Sequence, residues 1–304
     1  MTWNSQPRGN LSPEFTRNSS LGFHSETYIR LGFFFGILVI MALWEVVLPK
    51  RALTVSKGWR WVNNLGIIVI DSVMIRLLTP AAALGMALAA QQKGWGLLNH
   101  FSVPEVPAVI IGILFLDMVI YLQHLMFHAV PLLWRLHMVH HADLDIDVTT
   151  GLRFHPIEIF ISMGIKVAAV AVIGPPVIAV LAFEVLLNGT AMFNHGNVHM
   201  PGGLDRVLRL FVVTPDMHRV HHSVTIRETN SNFGFNFPWW DRIFGTYRAQ
   251  PVAGHKGMTI GLAQFRDPKR LTLLHLLVLP FTGYPGSYAI NKSGMEPVKR
   301  ENKG

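Results

Sequence analysis

Five apolar runs divide the chain and restrict its fold more than any other feature. The first occupies 32–48 and ends in Pro49-Lys50-Arg51. At about 1.5 Å of rise per residue it is just long enough to cross a hydrocarbon core as a helix. The second, 61–90, is interrupted by Asp71, Arg76 and Pro80, and reads either as one kinked span or as a span followed by a re-entrant piece. The third begins near Val106 and runs to Phe127. The fourth and fifth, 157–173 and 177–193, form a hairpin around Gly174-Pro175-Pro176. A helix-breaking, uncharged turn between two apolar runs predicts a tight reversal inside or just beyond a bilayer. A further apolar stretch at 271–281 is too short to span and is expected to lie in the interface or against the polar part of the molecule.

Composition agrees with a membrane. Half of the 304 residues are hydrophobic and 14% are charged, where soluble domains carry nearer a quarter. The net charge of +8 does not indicate nucleic acid, because Lys and Arg cluster in the segments between apolar runs. Lys50, Arg51, Lys57 and Arg60 lie between the first two runs, Arg135 and Arg153 follow the third, and Arg206 to Arg248 follow the fifth. With an odd number of spans all these segments share one face, which the positive-inside rule makes cytoplasmic. Residues 1–30 are polar without an apolar signal-peptide core, and are expected to be a disordered leader. No cysteine is present, which excludes disulfides, thiolate zinc sites and iron–sulfur clusters.

Ten of the fifteen histidines fall into four groups between His124 and His222. They are His124-x-x-x-His128, His137-x-x-His140-His141, His195-x-x-x-His199 and His218-x-x-His221-His222. Residues three and four apart share a helix face, so each group can aim two or three imidazoles at one point. Imidazole is the commonest protein metal ligand. Ten nitrogens exceed the needs of one ion, and two metals are the economical count. The H-E-x-x-H pattern of zinc proteases and the Glu-x-x-His pattern of carboxylate-bridged di-iron bundles are both absent. An all-histidine set at a membrane face suits two irons that activate O2, although composition leaves zinc and copper open.

These boxes, with Trp134-Arg135-Leu136 before the second and Asp216-Met217 before the fourth, resemble the fatty acid hydroxylase/sterol desaturase superfamily. The stretch from Asn232 to Tyr247, which contains Trp240-Asp241-Arg242-Ile243-Phe244-Gly245-Thr246, carries the same resemblance. It covers roughly 106–250. The family places a dinuclear metal on its histidine boxes, so the resemblance implies that His124, His128, His137, His140, His141, His195, His199, His218, His221 and His222 are the ligands. Gly196 and Asn197 between the third pair are poor helix formers.

Asp117, Tyr121, His124 and His128 share one face of the third span, so Asp117 and Tyr121 are candidates for orienting a ligand imidazole. His155, at the start of the fourth span, is a candidate eleventh ligand, a pocket residue or a structural hydrogen-bonding group. Trp239, Trp240 and Phe244 are expected in an interfacial belt or in core packing.

The expected fold is all-α, a multi-span transmembrane bundle with a cytoplasmic, helical, histidine-rich metal domain. Its expected parts are a leader (1–30), N-terminal transmembrane helices (31–105), a hydroxylase-like catalytic domain containing the hairpin (106–250, hairpin 157–193), and an interfacial segment with a polar tail (251–304). The expected activity is oxidation of a lipid C–H bond by hydroxylation or desaturation, with ether-lipid cleavage as the nearest alternative. It would use two Fe ions and O2. Electrons would come from a separate reductase or a cytochrome b5- or ferredoxin-like donor, since nothing in the chain resembles a fused one. A membrane metal transporter is the alternative from another class. It is disfavoured because the histidines gather at span ends and not along the bilayer midplane.

Overall fold

Backbone N–H and C=O groups in hydrocarbon must find partners within the chain, and long apolar runs do so as helices. The computed structural model describes residues 13–79 and 82–291, with side chains placed from Glu26 onward. Among the described residues there is no β-strand, only the isolated bridges Pro49↔Val198 and Ser223↔Ile260. Five helical stretches are long and apolar enough to cross a membrane: Glu26–Val47, Lys57–His100 (taken through its break), Glu105–Ala129, Pro156–Ile173 and Val177–Asn194. Val39, Leu43, Val69, Leu77 and Ile110 on these helices are all more than half exposed, which is the side-chain pattern of a lipid-facing surface. The protein is an integral, multi-pass membrane protein.

The first helix, α1 (Pro13–Val47), begins well before its apolar run. The leader expected to be disordered is therefore helical from Pro13 onward, while residues 1–12 lie outside the described residues. Extending an existing helix adds one hydrogen bond per residue fixed, so a polar stretch joined in register to a span propagates it. Proline at the first position is compatible with such a start.

The second run resolves into two helices, α2 (Lys57–Leu78) and α3 (Ala82–Lys93), with Pro80 itself outside the described residues. α3 and the short α4 (Leu97–His100) end against the turn at Gly174, where Gly96 and Gly174 approach too closely for a Cβ on either. The run thus makes one broken crossing. Next come α5 (Glu105–Ala129) and α6 (Pro131–His141), then the hairpin of α7 (Pro156–Ile173) and α8 (Val177–Asn194). Gly174 ends α7 in the left-handed region, at φ 63°, which a residue with a Cβ enters only at a cost.

Short helices follow on the side where α5 ends: α9 (Gly202–Leu208), α10 (Pro215–His221), α11 (Ile226–Thr229), α12 (Trp239–Ile243) and α13 (Gly254–Gly257). The last helix, α14 (Leu273–Thr282), lays Leu276 and Leu279 against Trp134, Met138 and Ile67 and leaves Leu274 and Phe281 exposed. It packs on α6 and α2 as a short apolar helix with one free face. The tail from 292 lies outside the described residues.

The loop between α6 and α7 is fixed by buried charge. Arg60 of α2 donates from Nε to Asp143 Oδ1 (2.7 Å), from Nη2 to Asp143 Oδ2 (2.7 Å) and from Nη1 to Asp147 Oδ2 (2.6 Å). Burial alone would raise the Asp143 carboxyl, but Arg60 and Arg153 more than reverse this and hold it well below the usual carboxylate range. Asp145 accepts from the backbone of Thr54 and Val55, and Glu45 of α1 accepts from Val148 N and Asn197 N. These bonds fix the end of α6, and with it the second histidine box.

Candidate metal centre

Nine histidines converge in two adjoining buried clusters. His124 and His128 from α5, His137 and His141 from α6 and His221 from α10 form one; His140, His195, His218 and His222 form the other. Within each cluster one ring nitrogen per residue lies within 4.8 Å of all the others. The helical spacing explains the division. Positions i and i+4 are about 40° apart around a helix, and i+3 lies about 60° to the other side. So α6 sends His137 and His141 into the first cluster and His140 into the second. α10 does the reverse: His218 and His222 enter the second cluster and His221 enters the first. The two clusters meet where the His141 and His222 rings stack, 4.7 Å apart.

Outer hydrogen bonds decide which nitrogen points inward. The Nδ1–H groups of His124, His140, His195 and His221 donate to the carbonyls of Phe233 (2.7 Å), Arg153 (3.1 Å), Ala191 (2.7 Å) and Ser231 (2.7 Å). His137 Nδ1 donates to Glu158 Oε1 (2.6 Å), and His128 Nδ1 to Asn230 Oδ1 (3.1 Å). A carbonyl only accepts, so each of these rings keeps its proton on Nδ1 and its lone pair on Nε2. Yet the Nε2 atoms face one another: His124 and His137 at 3.0 Å, His140 and His195 at 3.1 Å. His128–His141, His218–His195 and His222–His195 repeat the contact at 3.1 Å. In the His124–His137 and His140–His195 pairs both rings carry Nδ1–H, so two lone pairs that cannot hydrogen-bond face each other, and a cation between them removes the repulsion. His221 Nε2 has no partner at all.

The spacing suits a bound cation. At a metal–nitrogen distance of about 2.1 Å, adjacent ligands sit about 3.0 Å apart in an octahedron and about 3.4 Å apart in a tetrahedron. The observed 3.0–3.1 Å contacts are of the size that separates adjacent nitrogen ligands on one ion. Protonation is also disfavoured. Burial pushes the His137 and His195 imidazoles down to about 3 and lowers those of His140, His141, His218, His221 and His222 well below their ordinary value. All seven are therefore neutral, the form that binds metal.

The third box behaves differently from the other three. α8 ends at Asn194 and His195 caps it, so the pair is not on one helical face as its spacing suggested. The chain turns into an extended segment in which Val198 bridges Pro49 and His199 N donates to Leu48 O (2.7 Å). This leaves the His199 side chain exposed and outside both clusters.

The residues expected to support the ligands also lie elsewhere. Asp117 Oδ2 accepts from Trp240 Nε1 (2.8 Å), and the Tyr121 hydroxyl bonds Thr246 Oγ1 (2.9 Å) while its ring stacks on Phe244. Neither hydrogen-bonds to an imidazole. Together they seat residues 233–247 against α5, and that segment supplies the Phe233 carbonyl to His124. His155 caps α7, its Nδ1 accepting from Ile157 N (3.2 Å) and its Nε2–H donating to Leu277 O (3.1 Å). Both its nitrogens are in use, so it offers no lone pair to a metal. Glu158, the carboxylate that does hold a clustered histidine, was missed. Its only sequence signal is an acid in the first turn of an apolar run, where an unpartnered charge is costly.

A cavity of about 300 Å³ opens between the spans, with His124 and His137 in its wall.

Fold and site together define a multi-pass membrane protein with a buried, all-histidine metal-binding centre. A family model described as fatty acid hydroxylase matches residues 109–246, which contain all nine clustered histidines, and the matched segment belongs to that family. An ornithine lipid hydroxylase of Rhizobium tropici is 27% identical over 222 residues, covering 70% of this chain and 65% of its own length. Human alkylglycerol monooxygenase is 28% identical over 170 residues (55% and 37%), and human cholesterol 25-hydroxylase is 28% identical over 165 residues (51% and 58%). The matches thus span less than two thirds of each of these relatives. No solved structure gives a significant match.

Proposed function

We propose that this protein is a membrane oxygenase that uses two irons, O2 and external electrons to hydroxylate a C–H bond of a lipid. The observation that carries the reading is the set of opposed Nε2 lone pairs in two adjoining clusters. The ligands proposed are His124, His128, His137, His141 and His221 for one iron and His140, His195, His218 and His222 for the other. When bound, the irons supply O2 activation and removal of hydrogen from an unactivated C–H bond. The chain contributes fixed tautomers, complete burial that excludes water, and a cavity that admits substrate from between the spans.

Basic residues support a cytoplasmic position for the centre. Lys50 and Arg60 are bonded to Asp216 and Asp143 on the histidine side of the bundle, as the positive-inside rule requires of a cytoplasmic face. Exposed Arg206, Arg227 and Lys256 leave that region positive, which suits docking of an acidic reductase or small electron carrier.

Metal analysis of detergent-purified protein, with oxygen uptake under a chemical reductant, tests the proposal. About two irons per chain and lipid-dependent uptake are expected. A fully active sample that holds zinc, or one that holds no metal, overturns it.

A further inference from the structure

The cavity beside the histidines has a second, charged end. Lys166 of α7 donates to Glu184 Oε1 of α8 (2.8 Å), and Arg30 of α1 donates to Glu184 Oε2 (2.5 Å) and to Glu26 Oε1 (2.6 Å). Along α7, Lys166 lies about 12 Å from Glu158 and thus from the His137 side of the cluster. Asp71 of α2, Gln123 of α5 and Ser162 of α7 also line the cavity, so every span contributes a polar or charged side chain to it.

Pairing within the protein accounts for Arg30, Glu26 and Glu184 but not for the whole set. Charged residues inside a membrane bundle are costly, and they persist where they are paired or used. Lys166 makes one hydrogen bond of the three its ammonium can donate. Gln123 donates to Ser162 (2.9 Å), but its Oε1 has no partner, nor have Asp71 Oδ1 and Glu158 Oε2. Asp71 is 5% exposed, so bulk water does not satisfy it. The cavity therefore has spare donors at its charged end and orphaned acceptors between that end and the histidines.

We infer that the cavity receives the headgroup of a zwitterionic lipid, with Lys166, Arg30, Asp71 and Gln123 selecting it. An anionic group meets Lys166 and Arg30. An ammonium or amine donates to Asp71 and Gln123, and the C–H bonds nearest the headgroup lie toward His124 and His137. A volume of about 300 Å³ is at the low end for small-molecule pockets. It holds a headgroup and leaves two acyl chains in the bilayer. A neutral sterol would leave Asp71 Oδ1 and Gln123 Oε1 buried without partners and the spare donors of Lys166 unused, and a purely anionic lipid would face Asp71. The identity of the oxidised bond rests on the oxygenase reading above; headgroup binding does not.

The test uses metal-free, full-length protein in detergent, offered equal amounts of phosphatidylethanolamine, phosphatidylglycerol and cholesterol, with retained lipid counted by native mass spectrometry. Phosphatidylethanolamine should be retained at least about tenfold over the other two, the effect of one or two charge-assisted bonds. Lys166→Gln should abolish the preference and Lys166→Arg should keep it. Because Lys166 also ties α7 to α8, Asp71→Leu provides a second variant that breaks no protein hydrogen bond, with the same loss expected. Equal retention of all three lipids, a preference for cholesterol or phosphatidylglycerol, or a preference untouched by Lys166→Gln and Asp71→Leu overturns the inference. Oxygen uptake by the iron-loaded protein separates the two readings. Uptake without the headgroup preference removes this inference alone, and the preference without iron or uptake removes the oxygenase alone.

Discussion

Glu158 shows how the supporting residues around a site escape a reading of the sequence. The histidine boxes are visible because their spacing is local, three and four residues along a helix. The partner of His137 is set by where the start of α7 meets α6, and no local pattern records that. Asp117 illustrates the converse error. It does share a face of α5 with His124, but seven residues along a helix is about 10 Å, beyond the reach of a hydrogen bond. The face was legible and the depth was not. Replacing Glu158 with Leu is expected to weaken metal binding about 10–100-fold, read as metal retained against a graded chelator. Full retention would make Glu158 a packing residue. His140→Ala and His221→Ala should each abolish oxygen uptake while the protein still inserts into membranes. His199→Ala, altering an exposed side chain, should leave iron content unchanged; loss of iron would return His199 to the ligand set.

Among the elements, the five crossings were legible as apolar runs, including the Gly-Pro-Pro reversal that Gly174 makes as a left-handed cap. The extent of α1 and the break in the second run were less so, because propagation and kinking depend on what the helix joins. The loop 142–152 was not legible at all. Asp143, Asp145 and Asp147 match no motif in the sequence, yet they are buried around Arg60. Removing one member of a buried pair leaves the other uncompensated, so Arg60→Met should cost about 3–5 kcal/mol. A lower denaturation midpoint in detergent, with iron lost in parallel, is the expected result. An unchanged midpoint would show that the acidic loop holds itself in place.

For the molecule as a whole, seven histidines outside the spans have imidazoles lowered by burial. The folded, metal-free chain therefore binds fewer protons than the unfolded chain once the pH falls below the ordinary histidine value of about 6.5. Stability is expected to be nearly flat above neutrality and to decline as pH drops below about 6.5, by up to about 1.4 kcal/mol per pH unit for each histidine. Thermal denaturation of the metal-free protein between pH 5 and pH 8 checks the sign, and a rise in stability on acidification would contradict it.

The exchange of histidines between α6 and α10 implies that the two metals are not loaded independently. Each helix feeds both clusters, so the first ion to arrive draws together two of the walls that the second requires. The ordering entropy it meets does not recur for the second. Titration of the metal-free protein should be sigmoidal, with little singly loaded protein at half saturation, and a hyperbolic curve would show that the clusters fill separately. Under metal limitation, a population of such chains divides into fully loaded and empty molecules and does not become uniformly half-loaded.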